Sequence, residues 1–219
     1  VDTSLKENEQ LLLIDTCGET AGVALCMGEQ VLVFEDLACG IASAEIVSAV
    51  RRLLLKQKWR VQDLHAVGVV NGPGSFTGIR AGLAAAKGLC EAGALPLAAV
   101  SRLEVLADAA SLRSGFAALD AGRGEFYVRE LSSQREWLCP SGDLENACSG
   151  QPVVVAETRL AESLARCTPI LRSLHVADAL NAVLRALRAG GSEVALADAN
   201  YVREESDIYR KQGVATKPQ

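Results

Sequence analysis

The sequence predicts an α/β protein in two related halves. Three observations lead there. Short apolar runs alternate with stretches of helical periodicity along the 219 residues. A glycine-rich segment joins an apolar run to a helical pattern within the first half. The opening pattern of the chain also recurs in its second half: Leu12–Ala24 reads as a strand ending in Asp15, a glycine turn and a returning strand, and Ala117–Val128 repeats this with Asp120 in the same place.

The elements follow in order. Residues 1–10 are polar and read as a flexible leader outside the fold. Leu11–Thr16, Ala21–Met27 and Val31–Leu37 are apolar runs separated by tight turns, which predicts an antiparallel meander. Ser43 reads as an N-cap. The following segment, Ala44–Gln57, places Ile46, Val47, Val50, Leu53 and Leu54 on one helical face. Ala66–Val70 reads as a buried strand, Gly72–Gly78 as a glycine-rich loop and Ile79–Ala92 as a second helix. Pro96–Val100 is a further strand and Arg102–Ser111 a further helix. In the second half come strands at Phe116–Asp120 and Glu125–Leu131, a strand at Pro152–Ala156, and helices at Arg159–Cys167 and Val176–Ala189. Gly190-Gly191 closes the last helix as an αL cap. The halves are read as 11–101 and 102–192, with a tail, 193–219, returning to the first.

Composition narrows the chemistry. Apolar residues make up 49% of the chain and aromatics only 4%, so the core is built of small aliphatics. The net charge of -5 lacks the basic field that direct RNA binding requires. Arg51, Arg52, Lys56, Lys58 and Arg60 cluster, which also suits a solvated helix end. Seven cysteines without a C-x-x-C pair point to reduced thiols in a cytosol. Two distant histidines, His65 and His175, argue against a His-based metal site. No run reaches the length of a membrane span.

The strongest local signal is Asn71-Gly-Pro-Gly-Ser-Phe-Thr-Gly-Ile-Arg80, between a strand and a helix. Unpaired N–H groups at such a helix start can hold an anion. Gly72, Gly74, Ser75, Thr77 and Gly78 are the candidates, with Asp15 and Asp120 at the strand ends. The segment matches neither Walker A nor G-x-G-x-x-G. A tight turn with no ligand is the competing reading, as is a turn-forming role for each Asp. In the helix that follows, Gly78, Ala81, Gly82, Ala85, Ala86 and Leu89 recur at three- and four-residue steps. A helical Gly costs about 1 kcal/mol relative to Ala. Gly82 and Gly88 therefore imply close approach by another element: this chain's own sheet, its helix 44–57, or a partner's helix.

The glycine segment, with Leu13-Ile-Asp-Thr16, Ala86-Lys-Gly-Leu89, Val100-Ser-Arg-Leu-Glu104, Leu119-Asp-Ala-Gly-Arg-Gly-Glu-Phe-Tyr127 and Tyr201-Val-Arg203, resembles the TsaB (YeaZ) family over residues 11 to 205. The resemblance implies an actin-like (ASKHA, ribonuclease H-like) duplicated fold of two α/β halves with mixed sheets flanked by helices. It implies a cytoplasmic, noncatalytic subunit with no catalytic or metal-binding residues. That subunit would support the paralogue TsaD and the ATPase TsaE in threonylcarbamoyl transfer to adenosine 37 of tRNAs reading codons that start with A. ATP and metal would sit on the partner subunits, and tRNA would be met only through the complex. The implied interface with TsaD, or with a second copy in a homodimer, comprises Ser43, Ile46, Val47, Val50, Leu54, Gly78, Ala81, Gly82, Ala85, Ala86 and Leu89. Asp15, Asp120 and the glycine loop would be a vestige of a phosphate site. The sequence departs from the family at Cys17, where Ser commonly stands, and at Ala42, where His is frequent. The other readings are an actin-like ATPase or phosphotransferase acting alone, and a peptidase acting on TsaD, for which no nucleophile–base pair is visible.

Overall fold

A computed structural model describes residues 8–38, 42–148, 150–164 and 166–202, with the backbone alone at Ala42 and Ser43. The first sheet holds β1 (Gln10–Asp15), β2 (Ala21–Met27), β3 (Gln30–Leu37), β4 (Ala66–Val70) and β5 (Leu97–Val100), in the order β3-β2-β1-β4-β5. The meander β1–β3 is antiparallel, and β4 and β5 run parallel to β1. The second sheet holds β6 (Phe116–Gly122), β7 (Glu125–Glu130), β8 (Glu136–Pro140), β9 (Pro152–Val155) and β10 (Thr168–Leu171), ordered β10-β9-β6-β7-β8. Read from the other edge, this is the first order again: an antiparallel meander extended by two parallel strands. The fold is thus the duplicated, actin-like and ribonuclease H-like one.

Among the described residues six α-helices flank the sheets: α1 (Ala42–Gln57), α2 (Phe76–Gly93), α3 (Arg102–Ala109), α4 (Ser141–Cys148), α5 (Thr158–Ser163) and α6 (Leu180–Arg188). β1 is apolar along nearly its whole length because both faces of its sheet are covered. Leu12 and Ile14 pack with α1 and α2, whereas Leu11 and Leu13 face α3, α6 and the inner side of the second sheet. That second core runs between the halves and includes Ala117, Leu119 and Val154. α6 packs on β4 and β5 of the first sheet and comes so close that a Cβ on Gly68 would lie 2.5 Å from Val183 Cγ2. A third core, with Ala118, Val153, Leu144 and Leu160, fills the outer side of the second sheet under α4 and α5. None of the described helices is long and apolar enough to cross a membrane.

Several boundaries differ from the sequence reading. α1 already starts at Ala42, so Ser43 lies within its first turn and is not the N-cap. α2 starts at Phe76, three residues before the expected Ile79, because Ser75 caps it by accepting from the Gly78 N–H at 3.3 Å. α5 ends at Ser163, short of Cys167. The expected helix from Val176 opens as a tight turn, Val176–Ala179, with the His175 N–H donating to Asp178 Oδ2 at 2.8 Å. Gly190 and Gly191 take positive φ, as an αL ending needs. Tyr201 and Val202, whose motif resembles the family's closing strand, are not in a strand. Strands β8 and β10 and helix α4 carry no clear period and were not anticipated. Gln10, expected in the leader, opens β1, whereas residues 1–7 and 203–219 lie outside the described residues. Of the cysteines, Cys17, Cys26, Cys90, Cys139, Cys148 and Cys167 are unpaired thiols, and Cys39 falls outside the described residues.

Candidate functional site: the inter-half cleft and the outer helix face

Two strand ends meet at the cleft between the halves. Asp15 closes β1 and is 2% exposed. Its Oδ1 accepts the Cys17 N–H at 2.9 Å. Asp120, exposed near the end of β6, repeats the arrangement, with its Oδ1 accepting the Gly122 N–H at 2.7 Å. Each carboxylate thus ties down the turn two residues on, as an Asx turn does. Burial pushes the Asp15 carboxyl above the usual carboxylate range, and the nearby Arg102 charge opposes that shift. The Cys17 thiol is pushed well above its usual value by burial and then by Asp15, and its Sγ donates to the Val70 carbonyl at 3.0 Å. Cys17 is thus a buried thiol held in its protonated form.

The glycine loop is shaped by close packing against the end of β1. The Ser75 N–H donates to the Cys17 carbonyl at 2.8 Å, and Thr16 Oγ1 donates to the Gly78 carbonyl at 2.6 Å. A Cβ on Gly74 would collide with the Cys17 carbonyl oxygen, and one on Gly78 with that of Thr16. Gly72 has φ +112°, with the Asn200 carbonyl oxygen 2.9 Å from where its Cβ would be. Geometry therefore accounts for these glycines without a ligand. Ser75 and Thr77 are exposed.

The cleft itself has a volume of about 610 Å³ and is walled by Gly18, Glu19, Arg102, Asp120, Glu157 and His175, among others. Arg102 opens α3 directly after its N-cap, Ser101. Glu157 stands at the start of α5, its carboxyl raised by burial with Arg102 in partial opposition. Neither was singled out from sequence, since 55 positions separate them and only the duplicated topology brings them together. The motif Ser101-Arg102 was the one usable signal. Among the described residues no group of three or more His, Cys, Asp or Glu side chains could hold a metal ion.

The outer face is formed by α1 and α2. Ile46, Val50 and Leu54 are turned inward, at 1%, 3% and 6% exposure, and so belong to this chain's own core. Gly82 and Ala86 are also buried, and a Cβ on Gly82 would strike Thr16 Oγ1. Of the two readings of Gly82, close approach to the chain's own sheet is the correct one. Gly88 has nothing within 4 Å of an added Cβ, so the close approach expected there is absent among the described residues. Ala81, Ala85 and Leu89 are half-buried beside α1, Gly78 is half-buried, and the Ser43 side chain lies outside the described residues. What reaches the surface is Val47 at 66% and Leu55 at 67% exposure. They border a groove of about 250 Å³ whose walls include Leu54, Trp59, Val61 and Leu89, with Arg51 and Arg60. Two of the clustered cations are neutralised locally, Arg52 by Glu35 and Arg60 by Asp63.

At the start of α2, Phe76 and Tyr201 stack with ring centres 5.5 Å apart. The Arg80 guanidinium lies 3.9 Å over Phe76, and its Nε donates to the Tyr201 hydroxyl at 2.8 Å. Residues 198–201 thus lie against the first half. The Lys87 ammonium also reaches the Ala195 carbonyl, at 3.3 Å.

Comparison with known proteins agrees with this architecture. The family model described as TsaD, tRNA N6-adenosine threonylcarbamoyltransferase, matches residues 42–140. The tRNA threonylcarbamoyladenosine biosynthesis protein TsaB of Escherichia coli K12 is 34% identical over 125 residues, covering 55% of this chain and 54% of the relative. TsaB of Bacillus subtilis 168 is 36% identical over 150 residues, covering 67% and 63%. The matched stretches thus span about half to five-eighths of these relatives. A Pseudomonas aeruginosa crystal structure, described as an uncharacterized protein with similarity to peptidase YEAZ, superposes with TM-score 0.73 at 25% identity, covering 89% of this chain and all of that one. A duplicated fold, a glycine loop packed on Thr16 and these sequence matches agree with one another: the chain is a relative of the proteins named TsaB and YeaZ.

Proposed function

We propose that this chain serves tRNA threonylcarbamoyladenosine biosynthesis as an accessory, noncatalytic subunit that docks on a TsaD paralogue through the outer side of α1 and α2. The observation that carries this reading is the apolar groove between those helices, with Val47 and Leu55 two-thirds exposed at its border. Large aliphatic side chains in water on one face mark an interaction surface. The matches to TsaB proteins and to the TsaD family model support a partner from this pathway, and a TsaD paralogue is the one proposed. An interface of ordinary size buries on the order of 1,600 Å² in total, so the groove would be its centre and the neighbouring polar surface its rim. In the absence of TsaD the same face pairs two copies of the chain. TsaE joins the assembly, ATP and metal reside on the partner subunits, and tRNA is met through the complex.

The test is co-elution of the chain with its TsaD paralogue on a sizing column, paired with reconstituted tRNA modification. Val47→Glu with Leu55→Glu leaves the fold intact and abolishes both co-elution and modification. Full co-elution of the double variant would refute the docking face. Modification that proceeds equally well without the chain would refute the accessory role. The rival reading, an ATPase acting alone, requires micromolar binding of magnesium ATP by the isolated chain in calorimetry.

A further inference from the structure

The inter-half cleft holds two charged side chains of opposite sign, Arg102 and Glu157, that act on each other through space yet each keep one buried polar atom without a hydrogen bond. The Arg102 guanidinium lies on the Gly18 backbone, where it would overlap any Cβ added to that glycine. Its Nε is buried without a hydrogen-bond partner, and its charge is felt by the carboxyls of Asp15 and Glu157. Glu157 lines the same space, and its Oε2 is likewise buried and unpartnered. Buried polar groups are nearly always satisfied, and an orphaned charged donor beside an orphaned charged acceptor calls for a molecule that answers both.

The charge around them selects its class. Glu19, Asp120 and Glu157 line the cleft, Asp15 lies close by, and Arg102 is the one Arg or Lys among the described residues of its wall, with Arg123 and Arg159 in the adjoining space beyond Asp120 and Glu157. A phosphate group would bring more negative charge to a site already richer in carboxylates. A simple amine would leave the Arg102 Nε bare. A ligand with one carboxylate and one ammonium is neutral overall and fits both groups, because guanidinium pairs with carboxylate through charge-assisted hydrogen bonds. We propose that the cleft binds a free α-amino acid, its carboxylate on Arg102 and its ammonium on Glu157. The volume of about 610 Å³ exceeds what those two groups occupy, so a side chain has room towards Tyr127, Leu174 and His175. The proposal is independent of the docking face, which lies on α1 and α2.

The experiment uses the full chain without partners. The twenty amino acids are titrated by calorimetry beside acetate, methylammonium, inorganic phosphate and magnesium ATP. At least one amino acid binds with a Kd on the order of 1 mM or tighter, and the single-charge probes bind at least about tenfold more weakly. Arg102→Met and Glu157→Gln each weaken the amino acid by about tenfold or more, whereas Val47→Glu leaves its affinity unchanged. If Arg102→Met fails to fold, amide shift mapping on the unmodified chain decides instead, and the shifts must cluster at Gly18, Gly122, Ala156 and Glu157. Absence of binding by every amino acid at about 10 mM, equal binding of phosphate or methylammonium, or shifts centred elsewhere overturns the proposal.

Discussion

The side-chain amide of Asn200 donates to Glu136 Oε2 at 2.7 Å, joining the last described segment of the chain to strand β8 of the second half. The other oxygen of that carboxylate accepts from Arg129 at 2.7 Å and from Ser101 Oγ at 2.5 Å. Ser101 caps α3, and the Asn200 N–H donates to the Asn71 carbonyl at 2.7 Å. One carboxylate thus holds both halves and the C-terminal segment. Glu136→Ala leaves the largely buried Arg129 with a weaker partner, Glu104 at 3.8 Å. A loss of about 3 kcal/mol follows from breaking such a pair. Urea denaturation measures it, and hydrogen exchange at residues 198–202 rises in parallel.

Two glycines of α2 respond to alanine in opposite directions. Gly88→Ala adds a methyl group to open space and removes a helix-weakening residue, so it stabilises by about 0.5–1 kcal/mol. Gly78→Ala drives its methyl into the Thr16 carbonyl and destabilises by about 2 kcal/mol or more. Chemical denaturation of the two variants side by side checks both signs.

Asp15 gives the stability a pH dependence. Its folded pKa is raised by burial, so its protonated form is the one the fold prefers. The contribution is fully present below the unfolded value of 3.8 and is lost as pH rises through the folded value. Asp15→Asn keeps an oxygen for the Cys17 N–H and has no charge to bury. Thermal melts at pH 4 and pH 7 show the variant gaining on the parent as pH rises. A difference between the two proteins that stays constant with pH would contradict this.

The buried thiols are slow to react. Burial pushes Cys26 and Cys148 up to about 12 and Cys90 up to about 11, and Cys17 is raised well above its usual value. At pH 8 a thiol of pKa 12 is ionised in roughly one molecule in ten thousand. A thiol-disulfide reagent therefore leaves these four unmodified in the native protein and labels them in guanidinium, as peptide mass mapping reads out.

Much of the first half is legible in the sequence. Leu11–Thr16 and Val31–Leu37 are bounded by strong turn signals, and Ser43–Gln57 carries a clean apolar face. The start of α2 is misplaced because Gly78 reads as a loop residue, whereas its presence in the first helical turn is demanded by Thr16, 62 positions away. Strands β8 and β10 are short edges, half-exposed and without alternation, so no periodicity marks them. At the candidate sites, the spacing of Gly82 and Ala86 shows that something approaches α2 closely, but only the packing tells that it is β1. Arg102 and Glu157 are ordinary charged residues in sequence, and the significance of each depends on the other.

Helix α6 is the last helix described, yet it lies on strands near the beginning of the chain. While the protein emerges from the ribosome, β1 and β4 have Leu13, Ala66 and Val70 bare on one face until residues 180–188 arrive. The first half therefore matures only after residue 188 has been made. Until then its uncovered aliphatic surface is a natural substrate for chaperones that bind nascent chains.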